Sequence, residues 1–241
     1  MKEFSYEDVT VKVFDNVFYP TETSKMFIDY FKINHSAFNN ASERILDLGC
    51  GSGVVSVVLK KIGYENGLCA SDISDNAKLN VLENAQINNV DIEVRSGSLY
   101  DPWKNEKFDI IIDDISGIAE DVAKASEWFG DSISCESGKD GSALTKIVLD
   151  ETKNYLKDEG MLFFPILTLS NSTGILEYAN SIFDSVEEVS RKSFYLPQEF
   201  GEKYKDLIVD LSDKGYIEVE EKFGMYIWET IIYKANFNKK D

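Results

Sequence analysis

Residues 45–59 read Ile45-Leu46-Asp47-Leu48-Gly49-Cys50-Gly51-Ser52-Gly53-Val54-Val55-Ser56-Val57-Val58-Leu59, and this stretch is the best guide to the fold. An apolar strand runs into three glycines at alternate positions and then into a helix. Glycine is required where a chain turns sharply or where its backbone lies against a ligand, because a Cβ atom would intrude. The first turn of the helix offers unpaired N–H groups and a positive dipole end, which suit a polar ligand. We therefore expect a nucleoside-like cofactor at the end of this strand.

The spacing of the glycines restricts the kind of cofactor. A dinucleotide-binding loop has glycine at its first, third and sixth positions. Here Gly49, Gly51 and Gly53 are followed by Val54 at the sixth position, so the loop does not fit the pyrophosphate template. A second apolar run ends in Asp72, about 20 residues further on, where a carboxylate can accept hydrogen bonds from both ribose hydroxyls. The alternative is that the glycines serve only the turn and its packing.

Strands and helices alternate from residue 44 onward, which is typical of a mainly parallel sheet with right-handed crossovers and helices on both faces. A turn at Lys157-Asp158-Glu159-Gly160 leads into another strand, Met161–Leu167, and the last strand is Tyr226–Tyr233. We expect a doubly wound, Rossmann-like α/β fold with seven mostly parallel strands, the last one antiparallel. The expected strands are 44–48, 68–72, 91–95, 108–113, 161–167, 186–195 and 226–233, and the main helices are 53–62, 75–88, 142–156 and 173–184.

The chain has 241 residues, enough for one large α/β domain, and we expect residues 1–241 to form a single domain. Residues 1–40 would be an N-terminal extension over the site, with a strand marked by Val9, Val11 and Val13. Residues 197–224 follow no regular pattern and resemble an insertion. They are either a surface excursion or a lid over the substrate, since long insertions in compact domains often close over a site.

The net charge argues against some partners. The chain has 43 acidic and 25 basic residues, a net charge of −18, and no basic tract. A nucleic acid is bound mainly through clustered Lys and Arg, so a nucleic-acid substrate is not expected. Cationic or neutral small molecules and basic proteins suit this surface better. The three cysteines have no metal-ligand spacing, and no stretch has the pattern of a signal peptide or membrane span, so we expect no metal and a cytoplasmic location.

Further stretches complete a pattern that covers roughly residues 15–170. They are Val17-Phe18-Tyr19-Pro20-Thr21-Glu22-Thr23-Ser24, Asp72-Ile73-Ser74, Asn84-Ala85-Gln86-Ile87-Asn88-Asn89-Val90, Gly97-Ser98-Leu99-Tyr100-Asp101-Pro102 and Gly138-Lys139-Asp140-Gly141. Together with the glycine loop they resemble the class I S-adenosylmethionine (SAM) methyltransferases, in the branch of the release-factor glutamine N5-methyltransferases and their "small domain" relatives. The resemblance implies SAM as the cofactor, with Asp47 at its methionine end. The implied cofactor-binding residues are Asp47, Gly49, Cys50, Gly51, Gly53, Asp72, Ile73, Ser98, Leu99 and Asp114.

The sequence departs from that family at two places. Ser98 stands where the family has an Asp beside the adenine, so a hydroxyl or a backbone carbonyl would have to accept from the adenine amino group. The second departure concerns the family's Asn-Pro-Pro-Tyr, whose Asn and first Pro carbonyl grip the substrate amide. Here Phe108-Asp109-Ile110-Ile111-Ile112-Asp113 is followed by Asp114-Ile115-Ser116-Gly117. A rigid amide clamp is therefore not expected.

Asp114 is the main candidate for the acceptor side of the site. It follows a parallel strand next to the cofactor strand, where ligands of open α/β sheets bind. A carboxylate only accepts hydrogen bonds, which suits a nucleophile with N–H or O–H bonds. We expect Asp114, Glu22 and Tyr19 to be catalytic, with Ser116 and Tyr195 also near the acceptor. Asp113 either forms a carboxylate pair with Asp114, in which one pKa is raised, or turns the chain, and we favour the turn.

Three functions are compatible with these observations. The leading hypothesis is a SAM-dependent methyltransferase that acts on a nitrogen or oxygen of a small molecule or peptide. The second is the family's own activity, methylation of a glutamine in a protein release factor. The third is a SAM-binding partner protein without catalysis. The sequence does not distinguish the methyl acceptor.

Overall fold

The structure is a computed structural model, and it describes residues 1–115, 117–126, 135 and 137–237. The chain divides into two compact units. The first contains Met1–Ile115, Glu151–Phe164 and Asn236–Asp241, and the second contains Ser116–Asp150 and Pro165–Ala235. Each unit is described by itself below.

Parallel strands form the centre of the first unit. They are β3 (Arg44–Leu48), β4 (Gly67–Asp72), β5 (Glu93–Ser96), β6 (Phe108–Asp113) and residues 156–164 of β7 (Leu156–Leu167), in the spatial order β5-β4-β3-β6-β7. Ile45, Leu46 and Ile111 are completely buried, as expected for strands covered on both faces. The covering helices are α1 (Glu22–Ile33), α2 (His35–Phe38), α3 (Val54–Lys61) and α4 (Asp75–Asn88).

The register of these strands brings their carboxyl ends together. Leu48 of β3 is paired with Ser71 of β4 on one side and with Asp113 of β6 on the other, and Asp72 is paired with Ser96 of β5. Residues that follow the strands therefore lie along one edge of the sheet, which is where open α/β sheets bind their ligands.

An antiparallel hairpin of β1 (Lys2–Tyr6) and β2 (Val9–Val13) precedes the sheet in the first unit. The expected strand is confirmed by β2, whose Val9, Val11 and Val13 are all buried. The sequence did not predict β1, because Phe4 is its only buried residue and the strand lacks apolar alternation.

The second unit contains the other described elements. They are α5 (Glu120–Ala125), the first residues of α6 (Ala143–Thr152), residues 165–167 of β7, α7 (Ser172–Ile182), β8 (Ser185–Tyr195), α8 (Gln198–Lys203), α9 (Lys205–Asp213), β9 (Glu220–Lys222) and β10 (Met225–Asn236). Strand β10 lies between β7 and β8, with β9 antiparallel to it. The mostly parallel sheet with an antiparallel last strand is thus confirmed, and β9 is a short strand beyond the seven expected ones.

Two expectations about local structure were wrong. The segment 157–160 is not a turn, because β7 begins at Leu156 and includes these residues. Its pairing with β6 is irregular there, and Glu159 has a positive φ of 66°. Residues 197–224 are not irregular, since they contain α8, α9 and β9. Ile208 and Leu211 are the buried residues of α9. With so few apolar positions among acidic residues, the sequence did not predict this helix. Whether 197–224 acts as a lid stays a prediction.

Candidate functional site

The glycine loop leaves β3 with three residues in the left-handed region. Gly49, Gly51 and Gly53 have φ values of 78°, 51° and 76°. A Cβ atom on Gly49 would lie 2.6 Å from Ile115 Cγ1, and one on Gly53 would lie 2.8 Å from the methyl carbons of Val81. A Cβ atom on Gly51 would meet only Phe18, at 3.6 Å or more. Gly49 and Gly53 are therefore required by packing, whereas packing tolerates a Cβ at Gly51.

Asp72 is held beside this loop by the backbone. The N–H of Gly51 donates to Asp72 Oδ2 at 3.0 Å, and the N–H of Ser74 donates to Oδ1 at 2.9 Å. The N–H groups of Gly49 and Cys50 donate to the carbonyl of Ser71, at 2.9 and 3.0 Å, so the loop and the end of β4 form one rigid piece. A carboxylate has about four acceptor positions, which leaves Asp72 able to accept from ligand hydroxyls.

Asp47 is a buried carboxylate that has one oxygen without a hydrogen-bond partner among the described residues. Its side chain is 1% exposed, and its Oδ2 accepts from the hydroxyl of Ser56 at 2.6 Å and from the Ser56 N–H at 3.2 Å. Its Oδ1 is buried and has no hydrogen-bond partner among the described residues. Burial raises the pKa of Asp47 to about 6. A buried acceptor without a donor is costly, so this oxygen fits the ammonium group of a SAM molecule.

The other expected cofactor residues are near the same edge but differ in accessibility. Ile73 follows Asp72 and is 77% exposed, so it offers an apolar surface next to the Asp72 carboxylate. Cys50 is buried, and burial raises the pKa of its thiol, so the thiol stays neutral. Ser98 is exposed and Leu99 has φ 46°, both in the segment after β5. Contact of these two residues with adenine stays a prediction.

Asp114 begins the segment that follows β6. Its N–H donates to the carbonyl of Leu48 at 2.9 Å, which places it at the start of the glycine loop. Its Oδ2 accepts a hydrogen bond of 2.6 Å from the hydroxyl of Ser24 on α1. Burial raises the pKa of Asp114 well above its usual range, the Ser24 bond lowers it, and the Asp47 and Asp113 carboxylates raise it further.

Asp113 has the structural role that the sequence favoured. It is 2% exposed, and its Oδ1 accepts from the N–H of Ile115 at 3.1 Å, so the side chain turns the backbone after β6. Burial raises its pKa to about 7.

The remaining acceptor-side candidates that the structure describes have partners or exposure of their own and no described hydrogen bond to Asp114. Tyr19 is 43% exposed, and its hydroxyl donates to the carbonyl of Glu3 at 3.0 Å. Glu22 is the first residue of α1 and forms an ion pair with Lys25. Tyr195 ends β8 in the second unit and is 62% exposed, and Ser116 lies outside the described residues. A catalytic role for Tyr19 and Glu22 stays a prediction.

Sequence reasoning missed three residues of this site: Phe18, Ser24 and Ser56. Phe18 faces Gly51, Ser24 holds Asp114, and Ser56 holds Asp47. A signal existed for Ser56, because it lies in the first turn of α3 and the N–H groups of a first turn need acceptors. Ser24 has no local signal, since its partner is 90 positions away in the sequence.

The family model and two relatives that this chain matches are all methyltransferases. Residues 15–114 match the family model "Methyltransferase small domain". A ribosomal protein L11 methyltransferase of Thermosipho melanesiensis is 41% identical over 85 residues, which is 34% of this chain and 31% of that protein. A release factor glutamine methyltransferase of Lactococcus lactis is 26% identical over 165 residues, which is 67% of this chain and 60% of that protein. The chain thus spans about a third to three-fifths of these two relatives.

Solved structures show the same fold. A ribosomal protein L11 methylase from Lactobacillus delbrueckii matches with a TM-score of 0.55 at 15% identity, over 94% of this chain and 85% of that chain. A 16S rRNA N2 methyltransferase of T. thermophilus, solved with AdoMet and guanosine, matches with a TM-score of 0.60 at 12% identity, over 98% of this chain and 50% of that chain. No helix among the described residues is long and apolar enough to span a membrane.

The resemblance predicted from the sequence is therefore confirmed. The match of the family model includes the glycine loop, Asp47, Asp72 and Asp114. Residues 15–114 of this chain are thus similar to the methyltransferase small domain.

Proposed function

We propose that this protein is a SAM-dependent methyltransferase that transfers a methyl group to a nitrogen or oxygen of a small molecule or peptide. The observation that supports this most is the Oδ1 atom of Asp47, which is buried at the glycine loop without a donor. The amino group of SAM would supply that donor. The alternative of a SAM-binding protein without catalysis is less favoured, because it gives no role to the Asp114 carboxylate beside the same loop.

Residues at the carboxyl ends of the parallel strands would bind different parts of SAM. Asp47 would bind the ammonium group, and Asp72 would accept hydrogen bonds from the ribose hydroxyls. Gly51 would let the backbone approach the ligand, because it carries no Cβ of its own. Ile73, after β4, would cover part of the adenine, and Ser98 and Leu99, after β5, would also contact it. When bound, SAM supplies a methyl group that is already activated by a sulfonium centre.

Asp114 would act on the acceptor. Its carboxylate can accept a hydrogen bond from an N–H or O–H group and fix the orientation of that group. Its raised pKa makes it a better proton acceptor than an exposed carboxylate, which helps when the nucleophile begins protonated. The absence of the Pro-Pro pair after Asp114 removes the rigid carbonyl that would grip an amide. This favours acceptors other than a glutamine amide.

The second candidate function is methylation of a protein side chain of the translation apparatus. It is supported by the similarity to a release factor glutamine methyltransferase over 67% of the chain, and by the similarity to an L11 methyltransferase over 34%. The replacement of Asn by Asp at position 114 is the observation against a glutamine acceptor.

Calorimetric titration of the full chain with SAM, and with its demethylated product, tests the cofactor. We expect both to bind, and Asp47→Asn to weaken SAM binding by about 10- to 100-fold, because the negative charge opposite the SAM ammonium group is lost. Asp184→Asn is the matched control, since Asp184 is an exposed aspartate of the second unit. If neither compound binds the unaltered protein, the proposed function is wrong.

Transfer of label from methyl-labelled SAM distinguishes the acceptors. The full chain is incubated with a metabolite extract, with purified release factors and with L11. Label in a small molecule or short peptide supports the leading function, and label in a release factor or L11 supports the second candidate. SAM binding with no transfer to any of them would instead favour the non-catalytic alternative.

A further inference from the structure

The hydroxyl of Ser24 forms a short connection between two distant elements of the first unit. Ser24 is the third residue of α1 and is 5% exposed, and its Oγ lies 2.6 Å from Asp114 Oδ2 after β6. We propose that Ser24 is a positioning residue: its hydroxyl engages one oxygen of Asp114, so that the other oxygen is presented to the methyl acceptor. The acceptor part of this inference rests on the proposed function.

The side chain of Asp114 needs such an anchor. The hydrogen bond from its N–H to Leu48 fixes its backbone, but it does not fix the two side-chain torsions. The sequence lacks the two prolines that follow this position in the family it resembles, so the backbone after Asp114 is less constrained. Among the described residues, Ser24 is the one donor to the Asp114 carboxylate, and it bonds Oδ2 only. The Oδ1 atom keeps its full capacity to accept from a substrate.

The position of Ser24 also affects the charge of Asp114. Ser24 lies in the first turn of a 12-residue helix, where the unpaired N–H groups and the positive dipole end favour a nearby anion. The charged groups around Asp114 oppose this stabilisation of its ionised form. The carboxylates of Asp47 and Asp113 raise its pKa, and no cation counters them in the described contacts of the site. The titratable groups at this edge are Asp47 on β3, Cys50 in the loop, Asp72 on β4, Asp113 on β6, and the Glu22–Lys25 pair on α1.

Titration of the aspartate side chains by ¹³C NMR, on the ligand-free full chain, tests the inference directly. Asp114→Asn identifies the signal of Asp114. We expect Ser24→Ala to move the titration midpoint of Asp114 to higher pH, because the ionised form loses its donor. Ser24→Thr keeps the hydroxyl and should restore a midpoint close to that of the unaltered protein. Ser24→Cys, with a weaker donor, should fall between them and serves if Ser24→Ala does not fold.

Ser142→Ala is the matched control. The Ser142 side chain is also buried, at 4% exposed, and its hydroxyl donates to Asp140 Oδ1 at 2.8 Å in the second unit. This variant should leave the Asp114 signal in place. An unchanged Asp114 midpoint in Ser24→Ala would overturn the inference. Equal displacement in Ser24→Ala and Ser24→Thr would also overturn it, because the hydroxyl would then not be the cause.

The catalytic consequence is tested with the acceptor found by labelled transfer. Ser24→Ala should lower kcat by about tenfold, the effect of one hydrogen bond to a charged group, with the loss in kcat rather than in KM for SAM. Its pH–rate profile should move in the same direction as the NMR midpoint, and Ser24→Thr should recover both. If SAM does not bind, the proposed function fails, but the ligand-free titration still decides whether Ser24 controls Asp114.

Discussion

At the scale of single residues, the three glycines of the loop have different physical roles. All three have positive φ, yet an added Cβ would collide with Ile115 at Gly49 and with Val81 at Gly53, whereas at Gly51 it would make only an ordinary contact with Phe18. Spacing alone predicted that a glycine loop was present. It could not assign these roles, because they depend on Ile115 and Val81, which come from other elements of the fold.

Two alanine substitutions separate folding from ligand binding. Gly53→Ala combines left-handed strain with a 2.8 Å contact against Val81, and we expect it to lower the free energy of unfolding by about 2–4 kcal/mol. Gly51→Ala meets nothing closer than 3.6 Å, so its cost should be about 1–2 kcal/mol of backbone strain. Urea denaturation measures both. Gly51→Ala should nevertheless weaken SAM binding, and equal destabilisation by the two variants would contradict this division of roles.

The same contrast explains which site residues the sequence could predict. Gly49, Gly51, Gly53 and Asp72 follow from local spacing, since a strand, a tight turn and a second strand end suffice to bring them together. Ser24 could not be predicted, because its bond to Asp114 exists only after α1 has packed near the end of β6. The family resemblance supplied Asp47, but its unpartnered oxygen is visible only in the folded structure.

At the scale of elements, helix α4 has two asparagines on its buried face. Asn80 and Asn84 are completely buried, whereas the apolar Leu79, Leu82 and Ile87 are 55%, 44% and 51% exposed. The buried side-chain amides form hydrogen bonds with the backbone of β2. Asn80 Nδ2 and Asn84 Nδ2 donate to the Lys12 carbonyl, at 2.9 and 2.8 Å, and Asn84 Oδ1 accepts from the Lys12 N–H at 2.8 Å.

These buried asparagines explain why the sequence predicted helix α4 but not its contact with the β1–β2 hairpin. The alternation of strands and helices predicted α4 correctly at 75–88, and the structure adds that the hydroxyl of Ser74 caps it. Hydrophobic periodicity assigns the buried face of a helix only when that face is apolar, and here it carries asparagines. The contact between the hairpin and α4 therefore could not be predicted, although residues 1–40 were expected to lie near the site.

We expect Asn84→Ala to release the hairpin locally. The substitution leaves the N–H of Lys12 without its acceptor and removes donors to the carbonyls of Lys12 and Ser52. Each buried group left unpaired costs about 1–3 kcal/mol. Amide hydrogen exchange of Lys12 should therefore accelerate by about 10-fold or more. Asn88→Ala is the control, because Asn88 reaches the hairpin through one longer bond, 3.1 Å, to the Thr10 carbonyl. Unchanged exchange at Lys12 in Asn84→Ala would show that the amide does not hold the hairpin.

At the scale of the whole molecule, the buried acids and the net charge both make stability depend on pH. Burial raises the pKa of Asp47 to about 6 and that of Asp113 to about 7, from 3.8 in an unfolded chain. Between these values the folded protein binds more protons than the unfolded one, so stability falls as the pH rises from about 4 to 7. Glu106, Asp140 and Glu218 have lowered pKa values, and their contribution is lost only below about pH 4.5.

We therefore expect the ligand-free protein to have a lower free energy of unfolding at pH 8 than at pH 5, measured by urea denaturation. The pKa displacement of Asp113 alone corresponds to about 3 kcal/mol between pH 5 and pH 8. Repulsion from the net charge of −18 acts in the same direction, but salt screens it, whereas a buried carboxylate is screened much less. Asp113→Asn should flatten the pH dependence at both low and high salt, because the amide does not ionise and can still accept from Ile115. If high salt alone removes the dependence, surface repulsion is the cause and the buried acids are not.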